Sequence, residues 1–195
     1  IDNKPYVSVT TVLWILDKPA LRYWFGQEVY LAMVKDPSLS KEAALSAPYE
    51  ITDKAKNRGT TVHSIVESWE TTGNVVQNEQ YKGYANAFES WIKDNHITLK
   101  AHEKTVISQK HGYAGTLDLL VGANGSGNTW LIDIKTGKDI YPEAFLQLSA
   151  YKQALEEAGI KVNEIAVLLL KEDGGYKFEK GQYAIDEFLA CQKLW

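Results

Sequence analysis

The sequence predicts an α/β domain in which a mixed central β-sheet is flanked by helices and preceded by a helical N-terminal region. Three observations carry this reading. Up to about Asn95 the apolar residues recur at three-and-four spacing, the period of a helix. After Asn95 the texture changes to strand-like runs. The resulting order is helices, three meandering strands, a helix, then a strand.

Taken along the chain, Thr10 or Thr11 can cap a short helix through Leu16, and Pro19 can sit in the first turn of another that runs to about Lys35. Trp14, Leu21, Trp24, Phe25 and Met33 supply apolar faces to the two helices. These aromatic residues and Tyr23 could stack on bases of a single strand, but core packing is the expectation for them. A further helix is expected from Thr52, whose hydroxyl can cap it, to about Thr71 before Gly73. Val62, Ile65, Val66 and Trp69 give it a core-facing stripe. The stretch Tyr81 to Trp91 repeats that pattern with Tyr84, Ala85 and Phe88. Residues 99–108, GYAGTLDLLVG and TWLIDIK then read as three strands, the last two joined by GANGSGN at 122–128, a hairpin-loop composition that tolerates positive φ. Pro142 opens the helix EAFLQLSAYKQALEEA, which Gly159 can close. EIAVLLLK is an apolar, buried strand, and KFEKGQYAI can pair with it across Asp173-Gly174-Gly175. A last helix starts near Asp186, which can cap it.

The 195 residues suit one domain, with residues 1–50 as a helical extension or cap and 51–195 as the core. No run of about 18 apolar residues is present, so no membrane span is expected. The opening IDNKPYVSVTT lacks both an initiator Met and a signal peptide, which reads as a trimmed domain. A single cysteine, Cys191, excludes an internal disulfide and a four-cysteine iron–sulfur site. It suits a reducing compartment, and a cytoplasmic, bacterial or phage-encoded protein is the expectation. The net charge of −4 argues against a broad basic surface, but not against a local basic groove. Lys54, Lys56 and Arg58, or Lys100, Lys104 and Lys110, could line one, although solvated helix and strand faces account for either set.

The stretch that carries chemistry is LIDIK, residues 131–135. Side chains alternate along a strand, so Asp133 and Lys135 share a face while Ile132 and Ile134 point away. If the neighbouring strand GTLDLLVG pairs with it, Asp118 and Asp133 can face one cleft. Converging carboxylates repel, and a hard divalent cation such as Mg²⁺ or Mn²⁺ relieves that repulsion. For phosphodiester cleavage the cation would activate water, and a nearby lysine would position it and stabilise the charged transition state. A structural Asp–Lys salt bridge is the competing account. Gln147 and Tyr151 lie four apart on one face of the following helix, as do Gly59 and His63 on the earlier one, with Glu67 one turn on. Neutral imidazole is a good metal ligand. Glu103 can add a carboxylate or lie at an exposed edge.

The series G-x-x-x-H at 59–63, G-T-L-D at 115–118, D-I-K at 133–135 and Q-L-S-A-Y at 147–151 resembles the RecB-like branch of the PD-(D/E)XK nucleases, whose members include CRISPR-adaptation-nuclease-like exonucleases. The match spans about Arg58 to Tyr151. The resemblance implies a restriction-endonuclease-like core and a Mg²⁺- or Mn²⁺-dependent deoxyribonuclease, more an exonuclease acting on single strands or free ends than an endonuclease or flap nuclease. It implies metal ligation by His63, Asp118, Asp133 and the Ile134 carbonyl, with Lys135 as the catalytic lysine. Gln147 and Tyr151 would support the site and contact DNA, with Arg58, Gly59, Glu67 and Glu103 as further support. Partners would be DNA and recombination or replication proteins. Leu117 stands where the name-giving proline would, and no G-x-x-x-x-G-K-[ST] motor motif is present. A binding module of the same fold without catalysis, or an unrelated α/β protein, are the alternatives.

Overall fold

A computed structural model of the chain describes residues 5–76, 78–123, 125 and 127–195. Its centre is one mixed sheet of six strands: β1 (Val7–Ser8), β2 (Thr98–Ser108), β3 (Tyr113–Ala123), β4 (Asn128–Lys135), β5 (Glu164–Leu170) and β6 (Tyr176–Gly181). β2, β3 and β4 form the expected antiparallel meander. β4 and β5 are parallel, with α5 (Pro142–Glu157) between them, because parallel neighbours need a long crossover. β6 returns antiparallel to β5 across the Gly174 turn. The β3–β4 link carries Gly125 at φ 61° and Gly127 at φ 73°, the left-handed conformation its glycines were expected to supply. Asn124 and Ser126 of that loop lie outside the described residues.

Helices cover both faces of the sheet. On one face α5, α6 (Ile185–Leu194) and the short α1 (Val9–Val12) enclose Leu117, Leu131, Leu148, Val167 and Phe188. On the other, α3 (Lys41–Thr72) and α4 (Lys82–Asn95) enclose Phe88, Trp91, Ile132, Ile134 and Leu168. Two-sided cover explains why β5 reads as an unbroken apolar run and not as an alternation.

Several boundaries differ from the sequence reading. α3 begins at Lys41, not Thr52, and Ser40 Oγ accepts the Ala43 N–H at 3.2 Å as its cap. The helix formers Lys, Glu, Ala and Leu carry it through Pro48, and the Thr52 hydroxyl instead donates to the Pro48 carbonyl at 2.9 Å. Residue 51 therefore lies inside a continuous helix. At the first helix the cap position is Ser8, with Thr10 and Thr11 already helical. Asp186 sits in the first turn of α6 and not at its cap, which is Ala184. The Ala184 N–H donates to Ser149 Oγ on α5 at 2.9 Å, so a tertiary bond fixes that entry.

The helix from Pro19 to Lys35, α2, has the expected bounds, but none of its residues is buried. Trp14 and Tyr23 are 77% and 76% exposed, and Leu21 and Met33 are also exposed. Of the residues named from sequence only Trp24 and Phe25 are half-buried, Phe25 meeting Tyr49 of α3 with ring centres 5.3 Å apart. The expected core role of these residues fails for a physical reason: α2 lies chiefly along α3, with no sheet layer behind it.

Candidate functional site

The site forms where β3 loses a neighbour. β2 occupies one edge of β3 along most of its length. On the other edge β1 pairs only with Tyr113 and Ala114, and β4 only with Leu119 to Ala123. Residues 115–118 are left between them. There Asp118 Oδ2 accepts the Ile134 N–H at 2.7 Å, holding β4 where its ladder with β3 has ended. The alternation also slips here: Leu117 packs on the α5 face and Leu119, two residues on, on the α3 face. Opposite, on β2, Glu103 has a φ of 42°. This left-handed conformation costs a non-glycine residue about 1–2 kcal/mol, and such backbone strain concentrates at functional sites.

Two groups of side chains meet at this break. The first is His63 from α3, Glu103 from β2 and Asp118 from β3, whose potential ligand atoms all lie within 4.8 Å of one another. His63 Nδ1 is 3.1 Å from Glu103 Oε1 and Nε2 is 3.9 Å from Asp118 Oδ2. A proton on Nδ1 donated to Glu103 leaves the Nε2 lone pair directed at Asp118, the tautomer a metal-binding imidazole needs. The second group surrounds Asp133, which is 2% exposed. Lys135 Nζ lies 2.8 Å from Oδ1 and 2.7 Å from Oδ2, and Gln147 Nε2 donates to Oδ1 at 3.0 Å. The ammonium faces Oδ2 without hydrogen-bond geometry, so this buried oxygen accepts no hydrogen bond from the described residues.

Electrostatics link the groups. Burial, then the charge of Asp133, pushes the Asp118 carboxyl up to about 7, against the opposing pull of His63, Lys135 and the Ile134 N–H. Burial likewise raises Asp133, while Lys135 draws it down. Burial opposes the charge on Lys135, yet Asp133 and Asp118 together hold its pKa above the ordinary value. Tyr151, buried and beside both carboxylates, keeps its phenol proton well beyond the usual range. The site is short of positive charge, and a cation would supply it.

The residues named from sequence fall unequally around this centre. Gln147 touches Asp133 directly. Tyr151 stands over Gly115, where a Cβ would come within 2.4 Å of its ring, so glycine lets the ring approach the strand. Gly59 passes 4.0 Å from Thr136 Oγ1, measured from an ideal Cβ, and Arg58 Nε reaches the same hydroxyl at 3.5 Å. Glu67 is exposed and lies outside both groups. Ile134 contributes its N–H. Lys100 donates to Thr129 Oγ1 at 2.6 Å near the start of β2, Lys104 follows Glu103 at mid-strand and Lys110 lies beyond the strand's end, so the second basic set is spread along β2 and past it. Thr136 was missed, and its only sequence signal is its position next to Lys135. The central place of Glu103 follows from β2 register, which the sequence does not display.

No protein-family model matches the chain, and no curated protein does. Among solved structures it is similar to SSO0001, at 14% identity and a TM-score of 0.44 over 99% of this chain and 75% of that one. It is also similar to an alkaline exonuclease from Laribacter hongkongensis, at 13% identity and 0.43 over 88% and 87%. What the site can do follows from its own geometry.

Proposed function

We propose that the chain is a metal-dependent nuclease of the PD-(D/E)XK type that hydrolyses DNA phosphodiesters, acting as an exonuclease on single strands or free ends. The observation that carries this is the convergence of His63, Glu103 and Asp118 with the Asp133–Lys135–Gln147 cluster at the break in β3. The residues fit a hard divalent cation, Mg²⁺ or Mn²⁺. One imidazole and three carboxylates meet there, burial and then the charge of Asp133 raise the Asp118 carboxyl, and Asp133 Oδ2, in contact with Lys135 Nζ, accepts no hydrogen bond from the described residues. His63, Asp118 and Asp133, with the Ile134 carbonyl, would hold the ion, and Glu103 would orient His63 or join them. A bound cation supplies charge neutralisation at the phosphate and lowers the pKa of a water.

The chain's own groups do the rest. Lys135, fixed by two contacts to Asp133, can hold the attacking water and offset charge on the pentavalent phosphate. Gln147 donates to the same Oδ1 that accepts from Lys135, so the carboxylate is oriented before substrate arrives. Tyr151, protonated throughout the working range, can donate a hydrogen bond to a phosphate oxygen. Among the described residues no helix is long and apolar enough to cross a membrane.

The test is degradation of end-labelled single-stranded DNA with Mn²⁺ by the native protein and by Lys135→Ala, with a circular strand alongside. Loss of cleavage in the variant and sparing of the circle are expected. Cleavage of the circle would replace exonuclease by endonuclease. No cleavage of either substrate by metal-loaded native protein would reduce the chain to a binding module.

A further inference from the structure

A second feature lies at the carboxyl ends of the parallel strands β4 and β5, where open α/β sheets tend to bind ligands. A cavity of about 400 Å³ is walled by Lys54, Asn57 and Arg58 of α3, by Tyr81 and Tyr84, and by Glu172 in the turn after β5. Gln80 completes the wall, and the volume is within the usual range for small-ligand sites. Lys54 lies nine residues before His63, which on a helix is two and a half turns, so the two residues project from opposite sides of α3.

The wall has the chemistry of a nucleotide. Among the described residues Lys54 has no ion-pair partner, and the side-chain hydrogen bond of Arg58 is the long one to Thr136. Two cations four residues apart on one helix face can hold a phosphate between them. Tyr81 is half-buried, its ring 6.2 Å from that of the buried Tyr84, and it offers a face for a base. The amides of Asn57 and Gln80 can meet base edges. Glu172, a carboxylate, keeps the phosphate on the α3 side and can accept from a base amine. Arg58 joins this wall to the catalytic end of β4, since Thr136 follows Lys135.

We infer that this cavity seats a nucleotide flanking the cleaved bond, with its phosphate on Lys54 and Arg58 and its base on Tyr81. The inference rests on the nuclease reading above. Arg58 and Lys54 stand about 7.5 and 13.5 Å from His63 along the helix axis. Because Lys54 and His63 project from opposite sides of α3, the path between the seat and the metal group is longer than these axial separations, and Arg58 with Thr136 marks its course.

The experiment is binding of a fluorescent single-stranded DNA of about 12 nucleotides, in EDTA so that nothing is cut, across about 50 to 200 mM salt. Each phosphate contact adds about 0.7 to the salt slope for single strands. The double variant Lys54→Ala/Arg58→Ala removes the one phosphate contact and should lower the slope by about 0.7, which shrinks the fall in affinity over that range roughly 2.6-fold. Tyr81→Ala should weaken binding about fivefold or more with the slope unchanged, and Tyr81→Phe should restore it. Thermal unfolding of each variant establishes that it is folded. A native slope in the double variant, or equal loss with Tyr81→Phe and Tyr81→Ala, overturns the seat while leaving the catalytic site standing. A native protein that binds no strand and cuts none with Mn²⁺ overturns both.

Discussion

Replacing Asp118 by Asn should stabilise the metal-free protein while abolishing its response to metal. The magnitude follows from the site. Asp118 ordinarily would ionise near 3.8, but burial and Asp133 hold it at about 7. Ionising it in the fold thus costs up to about 4 kcal/mol above pH 7, at 1.36 kcal/mol per pH unit. Asn keeps an oxygen to accept the Ile134 N–H but must bury an amide beside His63, which offsets part of that gain. A net gain of about 1–3 kcal/mol remains, or roughly 3–10 °C in Tm for a domain of this length. The sign depends on pH in a defined way. A carboxyl raised in the fold contributes most below its unfolded value of 3.8, and that stability is lost as pH rises through about 7. The advantage of Asp118→Asn should therefore be large near pH 8 and shrink towards pH 4. The assay is thermal unfolding in EDTA at both pH values, repeated with Mn²⁺, which should stabilise only the native protein. A variant no more stable than native at pH 8, or a gain equal at the two pH values, would refute the reading of Asp118 as a carboxylate strained by its surroundings.

Other consequences are more compact. Because a cation must displace a proton from Asp118, Mn²⁺ affinity should fall about tenfold per pH unit below about 7 and level off above it, as calorimetric titration at several pH values would reveal. His63→Ala should weaken Mn²⁺ binding, whereas Glu67→Ala should leave it unchanged, since Glu67 lies outside the donor group. Gly115→Ala forces a Cβ to within 2.4 Å of the Tyr151 ring, which should cost about 1–3 kcal/mol of stability in a denaturant titration and lower cleavage by displacing that ring. Gly83→Ala meets the Glu172 carbonyl at 1.7 Å. Backbone cannot swing aside as a side chain can, so its loss of stability in the same titration should exceed that of Gly115→Ala.

Five of the six strands and the Asp133–Lys135 pair were legible because alternation, unbroken apolar runs and turn glycines are local signals. The two-residue β1 was not expected, and β6 ends at Gly181, short of the expected Ile185. The helix of Gln147 and Tyr151 was equally plain between Pro142 and Gly159. What sequence could not display is where neighbouring strands part. Glu103 could not be told from an edge residue, because its approach to His63 depends on β2 register and on its left-handed backbone. The aromatic residues of α2 misled for the converse reason. Apolar spacing reports that a helix has a face to bury, but not whether another layer stands opposite it, and here none does.

That bare helix has an energetic meaning. α2 draws little on either hydrophobic cluster of the sheet, so its 17 residues must hold their shape mainly by intrinsic propensity and by their contact with α3. Helices in proteins are stabilised chiefly by packing of an apolar face, and α2 has none of its residues buried. α2 should therefore open and reclose while the sheet, with β1 and α1 anchored in it, stays folded. Amide exchange along α2 would proceed through such partial openings, whereas the amides of β4 and β5 would exchange only when the whole domain unfolds.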